Sequence, residues 1–161
     1  MIFFIDKINS EVYYIFKEVN YMENVRSYNV GASNYATNGT KYQPWDFWIK
    51  FRLNPWDGDI TKRILRSKAT DPRILDYKKC IHICRERIRQ FQNNENVFPI
   101  ENLEPKDVTL GEMIEDYNLC DEDVVILCRI LYPNIENRVS DYYMIIELCE
   151  KRIKKLEKDN Y

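Results

Sequence analysis

The stretch DYKKCIHICRERI, residues 76–88, is written again sixty-five positions later as DYYMIIELCEKRI, residues 141–153. Around the first copy the apolar positions Ile74, Tyr77, Ile81, Cys84, Ile88 and Phe91 advance by 3, 4, 3, 4 and 3 residues. That stagger lines up side chains on one face of a helix with about 3.6 residues per turn. The second copy repeats it at Val139, Tyr142, Ile146, Cys149, Ile153 and Leu156. A chain that carries the same seam twice is predicted to consist of two helical units of common plan.

The sequence before each seam supports that plan. LNPWDGD (53–59) matches YNLCDED (117–123) at a spacing of 64, and RIL recurs at Arg63 and Arg129. Pro44 opens PWDFWIKFRL, whose Trp45, Trp48, Ile49 and Leu53 fit one face of a short helix. In NPWDGDITKRILRSK, Asp57 is the expected N-cap, with Ile60, Ile64 and Leu65 on the apolar side, and Asp71-Pro72 is expected to start the next helix. Residues 93–107 hold two prolines without helical period and read as a linker. The fold class expected is all-α: an N-terminal extension (1–26), a basic three-helix unit (27–92), the linker, and an acidic three-helix unit (108–161), duplicated and packed around a shared seam.

Composition narrows the function classes. The chain has 161 residues, 45% hydrophobic and 14% aromatic, which argues against disorder and suits one domain or two small units sharing a core. Its net charge of −2 argues against a strongly basic nucleic-acid binder, but the total is a cancellation. Residues 41–89 hold 13 Lys/Arg against 6 Asp/Glu, and residues 95–147 hold 3 against 13. Five cysteines, an odd number with no C-x-x-C pair, point to reduced thiols and a cytosolic protein. The opening apolar run is broken by Asp6-Lys7 and has no basic segment before it, so neither a signal peptide nor a membrane span is expected. The first 21 residues read either as a short added helix or as an upstream extension.

Where the copies differ, function can reside. The stripe Lys78, His82, Arg85 and Arg89 beside the first seam becomes Tyr143, Glu147, Glu150 and Lys154 beside the second. The preceding helix adds Lys62 and Arg66, with Arg63 and Lys68 close by. One reading is an anion site in which these cations converge on phosphate, Arg bidentately and Lys as a mobile point charge. The other is that the charges serve helix macrodipoles, or that His82 and Arg85 face Glu147 and Glu150 across a pseudo-two-fold interface. His82, the only histidine, could exchange protons near neutral pH. Trp45, Trp48 and Trp56 could stack a base or fill the core. Glu112-x-x-Glu115 and Glu147-x-x-Glu150 are similar to the acidic pairs with which all-α pyrophosphatases hold magnesium, or are solvated helix faces. No Gly-rich phosphate loop is present, and no metal site is assigned.

Four pieces occur in an order and spacing that resemble one family over about fifty-five residues: SNY ending at Tyr35, PWDFWI from Pro44, GDITKRILRSK from Gly58 to Lys68, and DYKKCIHICRERI from Asp76. They resemble the nucleotide kinase-like proteins of T7-type phages. The resemblance implies phosphate transfer between nucleotides without a P-loop, in the cytoplasm of an infected host; no cofactor is assigned, apart from Mg2+ in the case of a nucleotide-dependent activity. It makes Lys62, Arg66, Lys68, Lys78 and Lys79 phosphate-contact candidates, to which the charge comparison adds Arg85, with Trp45 or Trp56 for the base. Asp59 stands where the family has Asn, Ser67 replaces a Gly, and the family's frequent His is missing from SNY. Asp59 and His82 are the catalytic candidates. The expected partner is a nucleotide or other phosphorylated small molecule. The alternative is a non-enzymatic interaction or assembly protein, including a homo-oligomer, whose basic and acidic units dock on one another.

Overall fold

The structure is a computed structural model that describes residues 41–66, 73–95, 98 and 105–159, all within one compact unit, Asn34–Tyr161. Every regular element among the described residues is a helix: α1 (Pro44–Lys50), α2 (Pro55–Ile64), α3 (Arg73–Gln92), α4 (Leu110–Ile114), α5 (Asp121–Leu131) and α6 (Arg138–Asp159). The all-α class is therefore correct. Among the described residues, no helix is long and apolar enough to cross a membrane.

The two long helices, α3 and α6, form the central pair, with α2 against α3, α5 against α6, and α2 also touching α5. The seams read from the sequence lie in this core. Tyr77, Ile81, Cys84 and Ile88 of α3 are buried with Tyr142, Cys149 and Ile153 of α6, and Ile74, Phe91, Val139, Ile146 and Leu156 pack at their edges. Cys80, Cys84 and Cys149 are fully buried, and all five cysteines are free thiols. Burial pushes the Cys84 thiol up, as it disfavours a thiolate in an apolar core, so this thiol is a small hydrophobe and not a nucleophile.

Three expectations need correction. The N-cap of α2 is Asn54, not Asp57: the Asn54 side chain accepts from the amides of Trp56 and Asp57, and Pro55 takes the first helical position, where its missing N–H costs nothing. Asp57 is thereby placed on the inner side of the first turn. The buried face of α1 carries Phe47 and leads to Phe51, not Trp45, Trp48 and Ile49; Ile49 is 73% exposed and Trp45 45%. Asp46 accepts from the amide of Gln43 and turns the helix so that Phe47 meets Tyr117, while Phe51 meets Tyr132, both edge to face. Trp48 is held part-way, its indole N–H donating to the Gly58 carbonyl at 2.9 Å.

The third correction concerns register. Asp57 of α2 and Asp123 of α5 make the same contacts, so these helices correspond at an offset of 66, which is also the offset of the RIL tripeptides, and not 64. The expected helix start at Asp71-Pro72, the SNY piece, Ser67, Lys68, residues 1–26 and most of the linker lie outside the described residues.

Candidate functional site

Two buried charge clusters tie the halves together, and each is built across them. In the first, Asp57 of α2 accepts from Arg138 Nη2 at 3.0 Å and from the Tyr142 hydroxyl at 2.9 Å, both from α6, and Arg87 Nε of α3 donates to that hydroxyl at 3.3 Å. In the second, Asp123 of α5 accepts from Arg73 Nη2 at 3.1 Å and from the Tyr77 hydroxyl at 2.7 Å, both from α3. Each guanidinium also lies on its tyrosine ring, Arg138 at 4.6 Å and Arg73 at 4.8 Å from the centroid. Burial opposes the charge on Arg73, but Asp123 and Tyr77 more than offset it and its pKa is raised. Buried charge is tolerated here because it is paired and hydrogen-bonded on several sides.

The same two arginines finish the neighbouring helices. Arg73 Nη1 donates to the carbonyls of Arg63 (2.6 Å) and Arg66 (3.1 Å), and its Nη2 donates to that of Ile64 (2.6 Å), where α2 runs out of intrahelical partners. Arg138 donates in the same way to the carbonyls of Arg129 and Ile130 at the end of α5. Sequence comparison passed over this machinery because matching residues were assigned to packing. The signal was present in the matched charges Arg73/Arg138, Arg87/Arg152 and Asp57/Asp123.

The predicted phosphate residues fall on two faces of α3. On the α2 side, Arg63 Nη1 and Arg66 Nη1 approach the same oxygen of the buried Asp76, at 3.7 and 3.5 Å. Both distances exceed a hydrogen bond, and Nε of each guanidinium has no hydrogen-bond partner. Arg63 also holds Asp59 at 2.9 Å, which neutralises that carboxylate. Lys62 is exposed, Lys79 is half-buried, and neither forms an ion pair among the described residues. On this ridge Lys62, Arg63, Arg66 and Lys79 face two carboxylates, Asp59 and Asp76.

The other face is spoken for. Arg85 meets Glu150 of α6 at 3.6 Å, and Arg89 is held by Glu86 at 2.8 Å and Glu95 at 2.7 Å. Arg89 holds the Glu86 carboxyl down at about 2. Lys78 and His82 are exposed on this flank, about 100° round the helix from Lys79 in the case of Lys78. The structure thus separates Lys62, Arg66 and Lys79 from Lys78, His82 and Arg85. Trp56 packs on the core at the entry of α2, which leaves Trp45 as the open ring.

In the second half the equivalents of Lys62, Arg66 and Lys79 are Cys128, Tyr132 and Met144, so the charged ridge belongs to the first half alone. Among the described residues no group of three or more His, Cys, Asp or Glu is placed to hold a metal. One member of each acidic pair is engaged elsewhere: Glu112 closes a capping box with Thr109, whose amide and hydroxyl hold its carboxyl low, and Glu150 pairs with Arg85.

Compared with known proteins, the chain matches no family model, no curated protein and no solved structure. The resemblance to the phage family therefore rests on the four short pieces quoted above.

Proposed function

We propose that the first half of the chain binds a phosphorylated small molecule, with a nucleotide as the ligand the family resemblance favours, on the ridge between α2 and α3. One observation carries this reading: Arg63 and Arg66 share a single oxygen of Asp76 at 3.7 and 3.5 Å, beside Lys62 and Lys79, which have no carboxylate of their own among the described residues. Arg66, held this loosely, retains donors for an oxyanion, Arg63 is shared between Asp59 and Asp76, and the lysines add mobile charge at the edge. A second support is the loss of these cations from the equivalent ridge of the other half. Trp45 is the candidate for the base, and Lys68 is carried as a further phosphate contact by the resemblance.

Phosphoryl transfer between nucleotides is what the resemblance adds, and Mg2+ would accompany a nucleotide in such a reaction. In such a reaction the cations would position and neutralise the transferred group. Cytoplasmic location in an infected bacterial host belongs to the same proposal.

The test is a thermal-shift screen against nucleoside mono-, di- and triphosphates and cyclic nucleotides, with and without Mg2+, since a ligand of the native state raises its melting temperature. A selective shift that disappears in the Lys62→Glu, Lys79→Glu double variant is the expected result. A shift that survives that variant removes the ridge from the site, and no shift with any nucleotide removes the function.

A second reading, a non-enzymatic assembly protein, draws on the Arg85–Glu150 pair and the crossed clusters, by which basic and acidic halves dock within the chain. If copies exchange halves, light scattering detects an oligomer, and a monomer at all concentrations confines the docking to the single chain.

A further inference from the structure

The residues that form the anion ridge are placed by a side chain that is itself held from the other half of the molecule. We propose that Arg73 is the positioning residue of the α2–α3 ridge and that Asp123, acting through it, makes the acidic half set the ridge's geometry. This rests on the reading of the ridge as an anion site.

The argument begins at the end of α2. Arg63 is in its last turn and Arg66 lies beyond the C-cap residue Leu65, so no intrahelical hydrogen bond is made by the Arg66 carbonyl. Arg73 takes hold of three carbonyls there, those of Arg63, Ile64 and Arg66. The two outer ones belong to the residues whose side chains converge on Asp76. The planar guanidinium divides these bonds between two nitrogens, and a lysine ammonium in its place keeps the charge but gathers its donors on a single nitrogen. The fork is oriented by Asp123 Oδ2 at 3.1 Å and by the Tyr77 ring beneath it, and Tyr77 in turn donates to Asp123 Oδ1 at 2.7 Å. A carboxylate from α5 thereby reaches the backbone that carries the ridge. Arg138 repeats the device at the end of α5, where no cationic ridge exists, and so provides a matched control within the same molecule.

The test turns on a sign. Asp123→Asn removes a negative charge, and by Coulomb attraction alone it should tighten the binding of any anion. Positioning demands the reverse. With inorganic pyrophosphate as the probe and calorimetry on the full chain, Asp123→Asn and Arg73→Lys are expected to weaken binding about five- to tenfold, while Arg138→Lys leaves it within about twofold. Equal weakening in all three variants would make the effect structural, and unchanged or tighter binding in Asp123→Asn would overturn the proposal. If Asp123→Asn does not fold, Tyr77→Phe removes one of its hydrogen bonds while keeping the ring under Arg73, and weaker binding is again expected.

If the wild type binds no pyrophosphate, the anion-site reading fails by itself, and hydrogen–deuterium exchange still tests the positioning. Asp123→Asn should speed exchange of the amides at 63–66, and Arg138→Lys should not. Unchanged exchange there in Asp123→Asn would overturn the positioning role as well.

Discussion

Asp57 and Arg138, 81 positions apart in the chain, meet at 3.0 Å in a site where each side chain is less than a tenth exposed, and Asp123 and Arg73 repeat the arrangement at 3.1 Å. Each pair joins the short helix of one half to the long helix of the other, so neither half completes its polar core alone. Removing one partner leaves a buried charge uncompensated. Asp57→Asn, which keeps one acceptor oxygen but turns an NH2 towards the donors on the other side, is expected to cost on the order of 3–5 kcal/mol. The double variant Asp57→Asn, Arg138→Leu should cost less than the two single losses added together. Urea titrations of the four species measure this coupling. A second expected outcome is one unfolding transition, with ellipticity and tryptophan emission coinciding, and separate transitions for the two halves would refute the interlocked core.

Tyr142 supplies a pH signature of the same cluster. Burial, reinforced by the neighbouring Asp57 charge and opposed by Arg138, pushes its hydroxyl up to about 12. A group whose folded pKa is raised contributes stability that is complete below its unfolded pKa of about 10 and is lost as pH rises through the folded value. Between about pH 10 and pH 12 the protein should therefore lose stability steadily, and Tyr142→Phe should lose less over that interval. Absorbance at 295 nm follows the ionisation. A Tyr142→Phe difference spectrum with its midpoint near pH 10 would show that the hydroxyl is not held in this network.

The seams were legible because helical period and burial impose the same spacing: Tyr77, Cys84 and Ile88, and Tyr142, Cys149 and Ile153, are all buried. Two things were not legible, for different physical reasons. In PWDFWIK the set Trp45, Trp48 and Ile49 has the same helical spacing as an inner face and more apolar surface than Phe47, and only the Asp46 cap and the partner rings of Tyr117 and Tyr132 choose between the faces. The crossed clusters escape for another reason: Asp57, Arg73, Asp123 and Arg138 are each visible as repeated charges, but sequence offset says nothing of whether a charge pairs within its own copy or with the other one. Of the cation set, Lys62 and Arg66 belong together on the α2 side, whereas Lys78 and Arg85, read into the same site, are carried away by the 100° step of the helix.

The exposed pair on the far face should matter little. Arg85 and Glu150 are 67% and 46% exposed and 3.6 Å apart, so water and salt screen them. Arg85→Ala is expected to change stability by less than about 0.5 kcal/mol, and its effect should vanish in molar salt. Because the cross-half pairs that hold the fold are buried, the wild-type midpoint should be nearly independent of salt. A steep fall in the midpoint between low and high salt would mean that surface complementarity holds the halves together.

Gly58 offers a test of local packing in which two well-known tendencies oppose each other. It lies inside α2, where alanine is intrinsically favoured over glycine by about 1 kcal/mol. A Cβ at this position, however, would stand 2.7 Å from Cε2 and 3.0 Å from Cδ2 of Trp48, the fused edge of the indole. The ring cannot slide aside freely, because its N–H is bonded to the Gly58 carbonyl at 2.9 Å. To admit the methyl group, Trp48 must swing off α2, losing that bond and part of its packing, or α2 must shift away from α1. Overpacking of this kind costs roughly 1–3 kcal/mol, so Gly58→Ala is expected to destabilise the protein despite its helix preference. In a Trp48→Ala background the obstruction is gone and the same substitution should stabilise, by up to about 1 kcal/mol. Urea midpoints of the four proteins decide the matter: a stabilising Gly58→Ala in the presence of Trp48 would show that the indole does not rest on this helix.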